Sequence, residues 1–230
     1  MTGTALVIFL RRPALGQGKQ RLAGEVGREA ALSVAQGLLA CVLEDARGWR
    51  HEVILAPAAA SATEWARGLL EGGQVEPQPA GNLGERLQAV DARLRARGLD
   101  RLLYIGSDAP ALSPAYLEAA RAALERCDVV LGPARDGGVT LMGAGRPWPV
   151  LAALPWSTAG LAAALHRNCR ASGYSTEWLP ASFDVDDLAD LLHARAMLAG
   201  DDRPARRNLV ALIAALTVPG AVRAVGKVVR

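Results

Sequence analysis

The chain of 230 residues is poor in the groups that build disulfide scaffolds and metal knuckles. Its three cysteines, Cys41, Cys127 and Cys169, are odd in number and widely spaced, with no Cys-x-x-Cys. That excludes a zinc knuckle and a disulfide framework, and a reduced compartment is the simpler reading. The three histidines, His51, His166 and His193, stand apart with no ligand spacing. No Ser/His/Asp or Cys/His constellation can be picked out. No apolar run reaches membrane-spanning length. The short apolar run Ala5–Leu10 is cut off by Arg11-Arg12-Pro13, the reverse of a secretory signal, which places cations first. The cytoplasm is therefore the expected location. An excess of one charge is also lacking: 26 Lys+Arg against 23 Asp+Glu give a net charge of +3. The arginines are scattered, and no nucleic-acid-binding motif is present, so anionic small molecules are the expected partners and nucleic acid is not. The basic tail at 221–230, with Arg223, Lys227 and Arg230, is too short and weak to read as a membrane anchor.

What is present is a repeated alternation of strand-like and helix-like segments. Thr4–Leu10 is a continuous apolar run ending in a Gly/Pro loop, the pattern of a buried parallel strand. Further strands are expected at 51–56, 74–78, 101–106, 128–132, 138–143 and 174–179. Helices are expected at 28–47, 62–70, 82–98, 113–126, 158–172, 187–198 and 208–216. Asn82 with Glu85 forms a capping signature, and Ser113-Pro114 is an N-cap followed by proline at the first helical position. The pattern predicts an α/β/α sandwich with a mostly parallel sheet. Residues 1–200 would form the main domain, and 201–230 a C-terminal helical appendage and basic tail. Ligands of such sheets bind at the carboxyl ends of strands, where the loops after residues 10, 106 and 132 lie.

Three distant segments carry chemistry suited to phosphate and metal. The first, residues 13–22, is a glycine-bearing loop with Gly16, Gly18, Lys19 and Arg21, preceded by Arg11 and Arg12. It is not a P-loop, because Pro13 stands where glycine should and Gln20 where Ser or Thr should. Nor is it a dinucleotide fingerprint, because Arg21 occupies the third glycine position. Glycines let backbone amides face an anion, and cations neutralise phosphate; a surface loop with solvated cations accounts equally well for the same residues. The second is Gly106-Ser107-Asp108-Ala109-Pro110, where a carboxylate just past a buried strand suits a metal ligand better than a simple cap. The third is Asp184, Asp186, Asp187 and Asp190. Asp184 and Asp186 would face one side of an extended segment, but Asp186 could equally be the N-cap of the next helix, with Asp187 and Asp190 favoured by its dipole, and on these residues alone that reading is the stronger. Asp136-Gly137 is first of all a turn signal. The three segments are expected to meet at one cleft.

Taken together, the motifs resemble those of the bacterial DUF2064 proteins, also called radical-SAM/selenodomain-associated transferase 1. The resemblance rests on Phe9, Pro13, Gly16, Lys19, Arg21 and Leu22; on Gly81, Leu83, Gly84 and Arg86; and on Gly106 to Pro110. It extends to Gly132, Pro133, Asp136, Gly137 and Gly138, to Trp156-Ser157-Thr158, and to Asp184-Val185-Asp186. These occur in the family's order over about residues 4–195. The resemblance implies a glycosyltransferase-A-like (GT-A) fold. It implies Arg11, Gly16, Lys19, Arg21, Gly84, Arg86 and Ser107 as the nucleotide and phosphate site. It implies Asp108 and Asp186, with Asp184 as substitute for the latter, as ligands of Mg²⁺ or Mn²⁺, and Asp108 and Asp136 as catalytic. The chain departs from the pattern at Arg11 for Lys, Gln20 for Thr, and Val139-Thr140 for an aromatic pair.

The implied activity is transfer of a sugar from a nucleotide-diphospho-sugar to a small acceptor. A nucleotidyltransferase acting on an NTP and a phosphorylated small molecule is the alternative, and a non-catalytic nucleotide-binding module is the third reading.

Overall fold

In the computed structural model, which describes residues 3–217, the expected alternation is realised. Along the chain come β1 (Thr4–Leu10), α1 (Gln20–Val26), α2 (Arg28–Arg47) and β2 (Val53–Pro57). A 3-10 turn (Ala60–Ala62) leads into α3 (Thr63–Arg67), β3 (Gln74–Val75), α4 (Leu83–Ala96) and β4 (Arg101–Ile105). Then follow α5 (Pro114–Ala123), β5 (Val129–Pro133), β6 (Val139–Ala144) and α6 (Leu161–Ala171). The last elements are β7 (Thr176–Trp178), α7 (Leu188–Met197) and α8 (Pro204–Leu216). The tail at 221–230 lies outside the described residues.

The chain divides into two compact units. The first comprises Met1–Arg12, Asp45–Ser107 and Leu112–Phe183 and holds the whole sheet, in the order β3-β2-β1-β4-β6-β5-β7. All neighbours are parallel except that β6 runs against both β4 and β5. The central strands are buried along nearly their whole length; Leu6, Val7, Ile8, Leu102 and Leu103 are fully covered. This is why they read as unbroken apolar runs and not as alternations. One side of the sheet buries Val7, Ile54, Leu102 and Leu131 with Val90 and Leu94 of α4 and Leu165 and Cys169 of α6. Tyr104 of β4 lies within this layer, and its hydroxyl donates to Asp91 Oδ1 at 2.8 Å. Arg95 Nε donates to the other Asp91 oxygen at 2.8 Å, so the buried carboxylate is paired on both sides, as burial of a charge requires. Burial and the neighbouring Asp91 push the Tyr104 phenol well above its ordinary value.

The capping signals are realised. Asn82 accepts from the Glu85 backbone amide while Glu85 accepts from the Asn82 amide, and Ser113 accepts from Tyr116 with Pro114 at the helix start. α6 begins at Leu161 instead of near 158, with Gly160 as its N-cap and no side-chain cap bond; Ser157, just before, is in the left-handed region with φ 62°. The reversed strand β6 pairs Ile105 with Leu141. The turn between β5 and β6 therefore lies at the sheet edge reached by the end of β4.

The second unit comprises Pro13–Glu44, Asp108–Ala111 and Asp184–Arg230. Within it α1, α2, α7 and α8 bury Leu22, Val34, Leu38, Cys41, Leu191, Ala194, Leu209 and Ile213. α1 is not anticipated by the sequence pattern. It starts from Lys19, which acts as its N-cap in a left-handed conformation, and stops at Gly27, whose φ is 90°.

Candidate functional site

The loop that enters α1 turns on two glycines, Gly16 with φ 72° and Gly18 with φ 67°. Gln17 N donates to Ala14 O at 3.0 Å. Gln20, standing where the family pattern has threonine, donates from Nε2 to the carbonyls of Gly16 at 2.7 Å and Gly18 at 3.3 Å. Its amide braces the loop from inside. Lys19 follows with φ 46°, a conformation costing about 1–2 kcal/mol for a residue with a Cβ.

That strained position aims the Lys19 side chain at carboxylates. Nζ lies 2.9 Å from Asp108 Oδ2 and 2.9 Å from Asp186 Oδ1. Arg21 Nη2 takes the second Asp186 oxygen at 2.6 Å. The Lys19 side chain is 12% exposed, whereas that of Arg21 is 69% exposed. Burial alone would lower the Lys19 ammonium, but Asp108 and Asp186 outweigh it and hold it above its ordinary value. Burial would raise Asp186, but Lys19 and Arg21 hold its carboxyl below the usual range. Of the segments expected to converge, 11–21, 106–110 and 184–187, the parts 13–21, 108–110 and 184–187 lie within one unit, and 11–12 and 106–107 belong to the other.

Asp184 completes the cluster. Asp108, Asp184 and Asp186 each offer a carboxylate oxygen, and these oxygens lie within 4.8 Å of one another. The backbone sets that spacing: Val185 N, between the two C-terminal aspartates, donates to Asp108 O at 3.0 Å. Three hard oxygen donors at such separation fit an ion of the Mg²⁺ or Mn²⁺ kind. Helix capping is assigned elsewhere. Asp187, not Asp186, is the N-cap of α7, accepting from Asp190 N at 3.0 Å. Asp190 Oδ2 in return accepts from Asp186 N at 3.0 Å and Asp187 N at 3.3 Å.

The first unit carries the remaining expected residues. Arg11 follows β1, and Arg86 lies in the first turns of α4. Burial and the like charge of Arg11 pull the Arg86 guanidinium below its ordinary value. Arg86 donates to Gln78 Oε1 at 2.9 Å, and the buried Gln78 amide donates to Ala56 O at 2.6 Å. Gln78 has no signature in sequence; it is an isolated polar residue between prolines. Among the described residues neither Arg11 nor Arg86 pairs with a carboxylate, and the two guanidinium groups are close enough for the charge of one to act on the other. Ser107 is half-buried just past β4.

Gly84 serves packing. A Cβ there would stand 2.4 Å from Leu151 O and 2.5 Å from Trp156 Nε1, and Trp156 itself donates to Leu151 O at 2.8 Å. Asp136 is exposed and accepts from Gly138 N at 2.9 Å, closing the turn before β6. Gly137 O accepts from Ala162 N at 3.0 Å, so the turn is seated on the first turn of α6. In place of the aromatic pair, Val139 packs on the core and Thr140 is buried, its hydroxyl donating to Gly132 O at 3.3 Å. The motifs 81–86 and 136–138 each pack against the segment 151–162, the first at Leu151 and Trp156 and the second at Ala159 and Ala162.

Comparisons with known proteins bear on the fold and the family. No protein of curated function matches the sequence. Among solved structures, a protein of Desulfovibrio desulfuricans G20, provisionally described as a nucleotide-diphospho-sugar transferase, is similar at TM-score 0.84 and 23% identity, over 94% of this chain and 99% of that one. The 4-diphosphocytidyl-2C-methyl-D-erythritol synthase of Anaerococcus prevotii DSM 20548 is similar at TM-score 0.53 and 12% identity, over 86% and 99%. A CMP:2-keto-3-deoxy-manno-octonic acid synthetase complexed with CTP is similar at TM-score 0.51 and 18% identity, over 86% and 99%. At these identities the likeness establishes the fold, one shared by nucleotide-sugar transferases and cytidylyltransferases. Among the described residues no helix is long and apolar enough to cross a membrane. The profile described as an uncharacterized protein conserved in bacteria (DUF2064) matches residues 39–158, just over half of the chain, and the chain belongs to that family.

Proposed function

We propose that this protein is a metal-dependent transferase that moves a sugar from a nucleotide-diphospho-sugar to a small acceptor. The observation that carries the reading is the set of three carboxylate oxygens, from Asp108, Asp184 and Asp186, within 4.8 Å of one another, two of these aspartates, Asp108 and Asp186, being bridged by Lys19. Asp108, Asp184 and Asp186 would hold Mg²⁺ or Mn²⁺, which would supply charge neutralisation for a diphosphate leaving group. Lys19 and Arg21 stand beside it as donors for phosphate oxygens; in this geometry both are turned onto the aspartates. Arg11 and Arg86 form a second cationic pair suited to an anionic group. Asp136, exposed on its turn, is the carboxylate proposed to take up the acceptor proton.

A nucleotidyl transfer, in which a phosphorylated acceptor attacks the α-phosphate of an NTP, is the second reading. The structural likeness to cytidylyltransferases favours keeping it. Product analysis separates the two. Incubation with Mn²⁺ and nucleotide-sugars should release nucleoside diphosphate; release of pyrophosphate from an NTP would move the assignment to nucleotidyl transfer. A chain that releases neither from any of the four common bases is a binding module. A thermal-shift screen of NTPs and nucleotide-sugars, with and without the metal, finds the ligand first, because binding to the native state raises apparent stability.

The cations give a sharper test. If Lys19 and Arg21 clamp a diphosphate, Lys19→Ala or Arg21→Ala should weaken UDP or a UDP-sugar far more than free uridine. A charge-assisted hydrogen bond is worth about 1.5–3 kcal/mol, so each loss should reach roughly tenfold to over a hundredfold. Arg21→Lys should also weaken binding, because a bidentate fork is lost. Isothermal titration at two salt concentrations decides the matter: small effects, equal on every ligand and erased by salt, would mark both as solvated surface cations.

A further inference from the structure

Arg206 of α8 is fully buried, with 0% of its surface exposed. Its Nη1 donates to Cys41 O and to Glu44 Oε2, the latter at 3.0 Å, and its Nε donates to Pro110 O at 3.3 Å. Glu44 does a second task. Its Oε1 accepts from Ala205 N at 3.0 Å, in the first turn of α8, whose own N-cap residue Arg203 makes no side-chain cap bond. A carboxylate from α2 therefore caps α8 and holds its arginine in place.

The acceptor at Pro110 gives this buried ion pair a meaning beyond packing. Residues 108–111 are a short segment anchored at two points. At one end Val185 N donates to Asp108 O at 3.0 Å; at the other, Arg206 donates to Pro110 O. Asp108, with its carboxylate on Lys19, lies on this doubly anchored segment. A buried ion pair is seldom retained for stability alone, since apolar side chains of equal volume are often neutral or better. What an apolar side chain lacks is direction. A guanidinium fixes a carbonyl at a set distance and angle, and a metal site needs its ligands held to a fraction of an ångström.

We propose that Arg206 is a positioning residue for the Asp108 carboxylate, and that Glu44 holds it in that role. The proposal rests on the reading of Asp108, Asp184 and Asp186 as ligands of a divalent cation. Substituting Arg206 frees the Pro110 carbonyl and leaves the segment on one anchor. The Asp108 oxygen then no longer keeps its spacing from those of Asp184 and Asp186.

The test uses the full chain and Mn²⁺ alone as probe, with free Mn²⁺ followed by electron paramagnetic resonance and unfolding followed by calorimetry. Arg206→Met should weaken Mn²⁺ binding by about 10–100-fold, the usual range for groups that orient metal ligands. Arg206→Lys should recover part of the loss, since an ammonium reaches one acceptor. Tyr104→Phe, which breaks the buried bond to Asp91 in the other unit, should lower the melting temperature and leave Mn²⁺ affinity unchanged. Where Arg206→Met does not fold, Glu44→Gln carries the test and should weaken Mn²⁺ in the same direction. Wild-type affinity in the folded Arg206→Met protein, or in Glu44→Gln when that variant stands in, overturns the positioning role. So does an equal loss in Tyr104→Phe, which would report general loosening. A wild-type protein that takes up no Mn²⁺ overturns the metal reading itself, and the role of Arg206 with it.

Discussion

Asp108→Asn should abolish divalent-dependent nucleotide binding and leave the protein folded. The carboxylate is partly exposed, and its ion pair to Lys19 at 2.9 Å is half of a bridge whose other half, to Asp186, survives the change. Exposed and half-exposed pairs contribute little to stability, typically about 0–1 kcal/mol. The amide keeps the shape and loses the negative charge, so a hard cation loses a ligand it needs. Asp186→Asn should act likewise. Asp187→Ala makes the contrast: it removes the N-cap of α7 and should cost about 0.5–2 kcal/mol of stability with nucleotide binding preserved. Titrating a nucleotide with and without Mn²⁺, alongside thermal unfolding, reads both quantities. An Asp108→Asn protein that binds nucleotide and Mn²⁺ like wild type would remove this aspartate from the site.

Gly137→Ala should be among the most damaging single-methyl changes in the chain. Its φ is 89°, and a Cβ would stand 2.0 Å from Ala159 O. The obstacle is backbone, so no rotamer change relieves it. Left-handed strain alone costs about 1–2 kcal/mol. Separating the turn from the start of α6 adds to that, because Ala162 N then loses its acceptor on Gly137, and a buried backbone group left unpaired costs about 1–3 kcal/mol. At roughly 2–4 °C per kcal/mol for a chain of this size, the melting temperature should fall by about 5–15 °C. Gly16→Ala is the control. Its φ is also positive, 72°, but nothing lies within 4 Å of the added methyl, so only the conformational part should appear. Calorimetry on the two variants separates strain from collision; equal shifts would show that the seat of the turn on α6 contributes nothing.

The legible parts of the fold are those in which a local pattern and the final environment agree. Thr4–Leu10 and Arg28–Arg47 are recognisable because one is apolar throughout and the other periodic over many turns. Asn82 and Glu85 announce their own capping box. α1 is not legible, because the sequence Gly18-Lys19-Gln20-Arg21 has no apolar periodicity. Its first turn depends on a left-handed lysine held by Asp108 and Asp186, which are 89 and 167 residues away. The convergence of the three charged segments is expected from the strand–helix alternation, which puts the loops after strands at one end of a parallel sheet. The pairing within them is not. Lys19 reads as an anion ligand and is found on carboxylates; Asp186 reads equally as a helix cap, but the cap is its neighbour Asp187. Arg206 carries no signal at all, since an arginine in a helix with a polar face looks solvent-exposed until the acceptors on α2 and at Pro110 are known.

The division of labour among the C-terminal aspartates also fixes how the field at this site can change. The positive pole of α7 is already answered by Asp187 and Asp190, so the helix has little attraction left to offer Asp186. The charge of Asp186 is balanced by Lys19 and Arg21, whose ends ride on several rotatable bonds. An electrostatic environment built from fixed dipoles can be altered only by moving backbone. One built from long cationic side chains can be reset by rotamer hops, which take picoseconds to nanoseconds for exposed groups; Arg21, 69% exposed, is such a group, whereas Lys19, 12% exposed, is held between two carboxylates.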